Sequence, residues 1–245
     1  MREYYEGNLN DIDLTKEQEV LLQEPRCGFG GVLDFAKIAP SAQTIKLEIS
    51  NALNSENITF GKNVQNFSLR HRYNRAICFI SGDWNFAEKI PNLKEISLDR
   101  CNMKDVTHLE FGPNVRRVSM VHWYQPYSIP NLNGGWHFGK ITPSVEVFDM
   151  RGTEFALGMH LCFGPNAKKI CLQSCFNVSM KAPGAQIVDL RYSTINEVDI
   201  NPAAEVLISD RRGDKDISLQ VKNGVLRLHE AIYLGGSNYF RDITK

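Results

Sequence analysis

The sequence predicts a β-dominated α/β repeat solenoid, and three observations carry that expectation. Two sets of landmarks recur at one long period. Each period divides into two units sharing an apolar motif, and a proline stands just ahead of most of these motifs.

The first set is FGKNVQNFSLRHRYN from Phe60, FGPNVRRVSMVHWYQ from Phe111 and FGPNAKKICLQSCFN from Phe163, with starts 51 and 52 residues apart. The second, GVLDFAKIAPSAQTIKLEIS, GDWNFAEKIPNLKEISLDR and GGWHFGKITPSVEVFDMRG, places Phe35, Phe86 and Phe138 at the same spacings. Within each period the apolar anchors Leu47, Leu69, Leu98, Met120, Met150, Leu172 and Leu190 follow at steps of 22, 29, 22, 30, 22 and 18, with Ile208 after a further 18. Anchors two apart lie on one face of a strand, so Ile96 and Leu98 are expected to face inward and Ser97 outward. A strand of this kind cannot bury its apolar face alone; stacked neighbours supply the other side. Pro40, Pro91, Pro113, Pro143, Pro165 and Pro183 suit the turn before each strand, where no N–H is required.

The segment Leu93-x-x-Ile96-x-Leu98-x-x-Cys101-x-Met103 resembles the conserved stretch of leucine-rich repeats, LxxLxLxx(N/C)xL. Val145-x-x-Phe148-x-Met150-x-x-Thr153-x-Phe155 and Ala185-x-x-Val188-x-Leu190-x-x-Ser193-x-Ile195 repeat it with Thr and Ser at the polar position. The FGPN-type units match its first half and carry Arg72, Trp123 and Cys175 further on. Units preceded by a G-[KP]-[NP] turn resemble the irregular bacterial repeats of BspA-like proteins. The resemblance covers about residues 31–230, as eight to nine units. It implies a curved right-handed solenoid with a parallel sheet on its concave face, short helical caps, and a small polar residue inside each turn that bonds backbone groups.

The ends are expected to be caps. In residues 1–30, Thr15-Lys-Glu-Gln18 reads as a capping box opening a short helix through about Gln23, with Val20, Leu21 and Leu22 as its apolar side. Cys27-Gly-Phe-Gly-Gly31 reads as the turn into the first repeat. Arg211–Lys215, RRGDK, reads as an exposed loop. Residues 231–245 form a C-terminal cap or tail.

Composition narrows the function. The 28 basic and 28 acidic residues cancel, which argues against a nucleic-acid or anionic-membrane binder. No apolar run reaches the roughly 18 residues of a membrane span, and the polar N-terminus carries no secretory h-region. Six cysteines are too few for a disulfide scaffold of this size, so reduced thiols and a cytoplasmic location are expected.

No GxSxG or HExxH is present, and the glycine-rich stretch lacks the Walker Lys-Ser/Thr. Cys162, Cys171 and Cys175, with His160, lack the paired spacing of zinc ligands, and the repeat turns Cys171 outward while Cys162 and Cys175 fall at apolar positions. No metal, cofactor or catalytic residue is therefore expected. His71 and His122 hold equivalent positions two units apart, roughly 10 Å at the strand spacing.

The resemblance implies partner binding on the concave face. The residues expected to bind, there or on the adjoining aromatic edge, are Arg70, His71, Lys94, Asp99, Arg100, Arg116, Arg117, His122, Tyr124, Asp149, Arg151, Lys168, Lys169, Arg191 and Tyr192. The expected function is a protein-binding scaffold using this face or the aromatic edge His122–Tyr127. As a bacterial-type module it would serve as an effector, translocated into a host cell, or as an immunity protein that neutralises a toxin. The alternative is a carbohydrate-active or carbohydrate-binding parallel β-helix, whose site would group carboxylates on one strip. Oligomeric state is left open.

Overall fold

Alternating apolar and polar residues around each anchor form short parallel strands, as a period of two requires. The structure is a computed structural model that describes residues 13–23, 32–50, 52–71, 77–121, 135–136, 138, 142–155, 158–208, 217–220 and 225–226. The chain divides into two compact units, residues 1–120 and 121–245. No described helix is long and apolar enough to cross a membrane.

In the first unit the main sheet is Glu19–Gln23, Thr44–Ile49, Asn66–His71, Glu95–Asp99 and Arg117–Ser119, all parallel and in register. Ile45, Phe67, Ile96 and Val118 form one inward column, and Leu47, Leu69 and Leu98 the next. Further parallel strands lie between the rungs. Ala52–Asn54, Cys78–Asn85 and Cys101–Glu110 make a second sheet, and Leu33–Asp34 pairs with Ile58–Thr59.

The second unit repeats this plan. Val147–Asp149, Lys169–Cys171, Ile187–Asp189 and Glu205–Ile208 are parallel, and Ile217–Gln220 closes the row antiparallel to the last. Its second sheet holds Gly135–Trp136, His160–Cys162, Val178–Ala182 and Ile195–Ile200 in parallel, with Val225–Leu226 antiparallel at the end. Met150, Leu172 and Leu190 are fully buried, as their anchor role requires. The architecture is β-dominated and solenoid-like, as the repeat predicts.

The long period has a physical basis in stacked phenylalanines. Phe35 stacks on Phe60 at 6.3 Å, Phe86 on Phe111 at 6.2 Å, and Phe138 on Phe163 at 5.2 Å. These are the landmark residues of the two sequence sets, now paired through the core. Phe35 and Phe86 open the short helices Phe35–Ile38 and Phe86–Lys89, capped by the Asp34 and Asn85 side chains. These helices lie within repeats rather than at the ends.

The expected N-terminal helix is not formed. Glu19–Gln23 is a strand, paired residue for residue with Thr44–Glu48, and Val20 and Leu22 are buried on one face while Leu21 lies on the other. Thr15 bonds Asp13 through both its N–H and its hydroxyl instead of opening a helix. The pairing available along the neighbouring strand outweighs the weak local helix signal. The expected 231–245 cap and the RRGDK loop lie outside the described residues.

Two kinds of polar turn bond hold the rungs together within each unit. In the turn before the strand, the Asn63, Asn92, Asn114 and Asn166 amides donate to the Pro40, Lys62, Pro91 and Pro143 carbonyls, one rung earlier. The turn after the strand uses the small polar residue of the repeat. The Cys101 thiol donates to Leu69 O, the Cys175 thiol to Met150 O at 3.0 Å, and the Ser193 hydroxyl to Leu172 O at 2.5 Å. Each acceptor is the anchor of the preceding rung. Cys175 thus takes the polar corner position, and Cys78 stands in register with Cys101 where motif counting places Arg72. Just before the corners at Cys101, Thr153, Cys175 and Ser193, the residues Arg100, Gly152, Ser174 and Tyr192 adopt left-handed backbone, with φ of 58°, 74°, 59° and 62°.

Candidate interaction surface

Side chains between the inward anchors emerge on the outer face of the main sheet, and the register aligns them into rows. In the first unit, Gln23, Glu48, Arg70 and Asp99 occupy one row. Glu48 is only 5% exposed although it points outward. It accepts from Gln23 Nε2 at 2.8 Å on one side and from Arg70 Nε at 2.7 Å on the other, with a second bond from the same guanidinium. A carboxylate so covered is tolerated because both oxygens are bonded and the partner is a planar fork. Asp99 accepts from Ser97 at 2.7 Å and from Ser119 at 2.8 Å. Lys46 bonds Glu19 at 2.5 Å and holds that carboxyl below its ordinary range.

The second unit carries two copies of one device. Asp149 and Arg151 flank the anchor Met150, and Asp189 and Arg191 flank Leu190. In each pair Nε and one terminal nitrogen meet the two carboxylate oxygens, at 2.7 and 2.7 Å for the first and 2.9 and 2.8 Å for the second. Each strand ends at its aspartate and the arginine two residues on opens the following turn, so the sequence Asp-x-Arg closes this fork locally. Cys171 lies in register between the two aspartates, with its thiol 3.8 Å from Asp189 Oδ2. Burial first, opposed in part by a backbone bond, together with the two carboxylates pushes this thiol up to about 11. It is held as a neutral thiol.

The other expected residues divide clearly. Lys94 is exposed and donates to Gln65 at 2.8 Å. Arg116, Arg117, Lys168 and Lys169 are exposed at the start of their strands; Arg117 stands opposite Glu95, and Lys168 lies 3.7 Å from Glu146. Arg100 and Tyr192 belong to the left-handed corners rather than to the flat sheet. His71 contradicts its expected exposure. It is buried at 4% because it continues the inward parity of Phe67 and Leu69, in register with Ile49. His122 and Tyr124, with the aromatic edge to Tyr127, lie outside the described residues. Ser97 faces outward as its parity predicts, and Ser119, its register partner, joins it on that face though sequence reasoning does not single it out.

On the second sheet of the first unit, His108 sits 3.1 Å from Asp83 and 3.8 Å from Glu110, all partly or fully exposed. Cys162 is half-exposed on the second sheet of its unit, Cys171 faces out from the main sheet, and Cys175 is buried in a corner. Among the described residues no three His, Cys, Asp or Glu side chains converge as metal ligands.

The outer face therefore offers ordered charges and hydroxyls held at strand spacing. Such an arrangement suits non-covalent recognition. No protein-family model matches this chain, and no match is found among curated proteins or among solved structures.

Proposed function

We propose that the chain is a leucine-rich-repeat-type scaffold that binds another protein through the outer face of its main sheets. The observation that supports this reading is the set of pre-locked guanidiniums, Arg70 on Glu48, Arg151 on Asp149 and Arg191 on Asp189. Arginine is prominent at binding hot spots, and a side chain fixed before association loses less entropy on binding. The exposed Lys94, Arg116 and Arg117 in the first unit, and Lys168 and Lys169 in the second, would form the solvated rim of each unit's own face.

The resemblance to bacterial repeats favours one of two settings: an effector acting in a host cell, or a cytoplasmic immunity protein that blocks a toxin. No cofactor enters this proposal. The test is a pull-down from source-cell and host lysates, read by mass spectrometry, with Arg116→Glu/Arg117→Glu alongside. A partner held by the native chain and lost by the folded double variant supports the reading. Equal capture by both would move the site off this face.

One observation favours a second reading. Each unit carries a second parallel sheet, an arrangement that suits a carbohydrate-binding parallel β-helix. Retained binding to a glycan array together with no protein partner would support it.

A further inference from the structure

We propose that Cys78 and Cys101 form an oxidation site, in which a peroxide closes a disulfide between adjacent rungs. The two residues are direct register partners on neighbouring parallel strands. Parallel neighbours lie about 4.8 Å apart. That separation falls within the roughly 4.4–6.8 Å between Cα atoms that a disulfide spans. Their sulfurs are 2.9 Å apart, so bond formation needs an approach of under about 1 Å from the thiol pair. Both residues are essentially inaccessible, at 0% and 1% exposure, and the corner geometry fixes them. Cys78 bonds Arg100 O through its N–H at 3.0 Å and contacts the same carbonyl through its thiol, while Cys101 reaches Leu69 O.

The other corner thiol differs: Cys175 donates to Met150 O, and the corner beside it carries Ser193, a hydroxyl that cannot form a disulfide. The corner columns thus provide a thiol–thiol neighbour pair at 78 and 101.

The step balances as two thiol oxidations by one peroxide. One thiolate attacks a peroxide oxygen, the O–O bond breaks, and a sulfenic acid and one water result. The second thiolate attacks that sulfur, the S–O bond breaks, and the disulfide and a second water form. Two electrons and two protons pass from the thiols to the peroxide. Burial and the neighbouring Cys78 push the Cys101 thiol well up, so the pair reacts slowly at neutral pH and is spared by weak oxidants.

The experiment treats the full native chain with hydrogen peroxide, blocks remaining thiols after unfolding, and digests with trypsin. The expected product joins the peptide Ala76–Lys89 to Cys101–Lys104 and is undone by dithiothreitol. Closing this loop should raise the Tm of the native chain by about 6–12 °C, a rise that Cys78→Ser abolishes. Peptide mapping of the native chain decides the question even if that variant fails to fold. Two outcomes overturn the proposal. One is both cysteines still alkylated while Cys171 has been oxidised; the other is a joined peptide with unchanged Tm, which would confine the reaction to unfolded chains.

Discussion

Gly184 occupies the turn position that Asn63, Asn92, Asn114 and Asn166 hold in other rungs. The step from Pro165 to Pro183 is 18 residues, where the preceding step from Pro143 to Pro165 is 22. In this rung the backbone comes so close that a Cβ on Gly184 would lie 2.0 Å from Pro165 O, 2.5 Å from its carbonyl carbon and 2.9 Å from its Cα. That is about 1 Å inside the 3.0 Å limit below which such contacts essentially do not occur, and every obstructing atom is backbone. Gly184→Ala must therefore separate two rungs locally, at a cost of about 2–4 kcal/mol. For a chain of this length that lowers Tm by roughly 4–16 °C. Two controls isolate the cause. Gly158 has φ of 79° and nothing within 4 Å of a Cβ, so Gly158→Ala bears only the left-handed backbone, about 1–2 kcal/mol. Gly61 meets Pro40 O at an ordinary 3.5 Å, so Gly61→Ala should change little. Calorimetry of the three variants should rank Gly184 as the most sensitive. A Tm for Gly184→Ala within a degree of Gly61→Ala would refute the close-approach argument.

Other consequences can be measured directly. Ser193→Ala removes the donor to Leu172 O and the acceptor of the Cys175 N–H, and urea unfolding should show a loss of about 1–3 kcal/mol; Ser193→Cys, supplying the thiol used at other corners, should recover part of it. Arg151→Met strips Asp149 of its bidentate partner while keeping the stem volume, and a loss of about 1–2 kcal/mol is expected by the same assay. Iodoacetamide labelling of Cys171, followed by mass spectrometry, should keep accelerating as pH rises towards about 11, because the raised thiol is deprotonated late. A rate that levels off near pH 9 would contradict that placement.

Much of the rung pattern could be read from the chain because it is local. Anchors two apart, a proline or glycine turn and a small polar corner residue each constrain only a few consecutive residues, and the columns Ile45–Phe67–Ile96–Val118 and Phe148–Ile170–Val188–Val206 follow. The sequence places Asp149 and Arg151 on the expected face but not the fork that they close. Features that depend on a neighbour were not legible. Val20-Leu21-Leu22 has no clean alternation, so only the partner strand Thr44–Ile49 reveals it as the first rung. The burial of Glu48 depends in turn on Gln23 standing beside it. His71 was misplaced because motif counting ends the strand near Arg70, whereas pairing with Ile49 carries it one residue further. Cys78 stands six residues beyond the counted corner position at Arg72, so motif spacing alone does not mark it as the partner of Cys101.

The turn bonds have a direction. Asn63, Asn92, Asn114 and Asn166 in the turn before the strand, and Cys101, Cys175 and Ser193 in the turn after it, all donate backward to a carbonyl made earlier in the chain; Cys78 runs the other way. Synthesis proceeds from the N-terminus at about 5–20 residues per second, so a 22-residue rung emerges in about 1–4 s with its acceptors already in place. These side-chain bonds can therefore close on the preceding rung without waiting for the next, whereas backbone bonds such as Met150 N–H to Cys171 O need the later one. Shortening is asymmetric for the same reason. Removing rungs from the C-terminal end leaves bare carbonyls, which have a second lone pair and tolerate water. Removing them from the N-terminal end instead leaves amide, thiol and hydroxyl donors facing water.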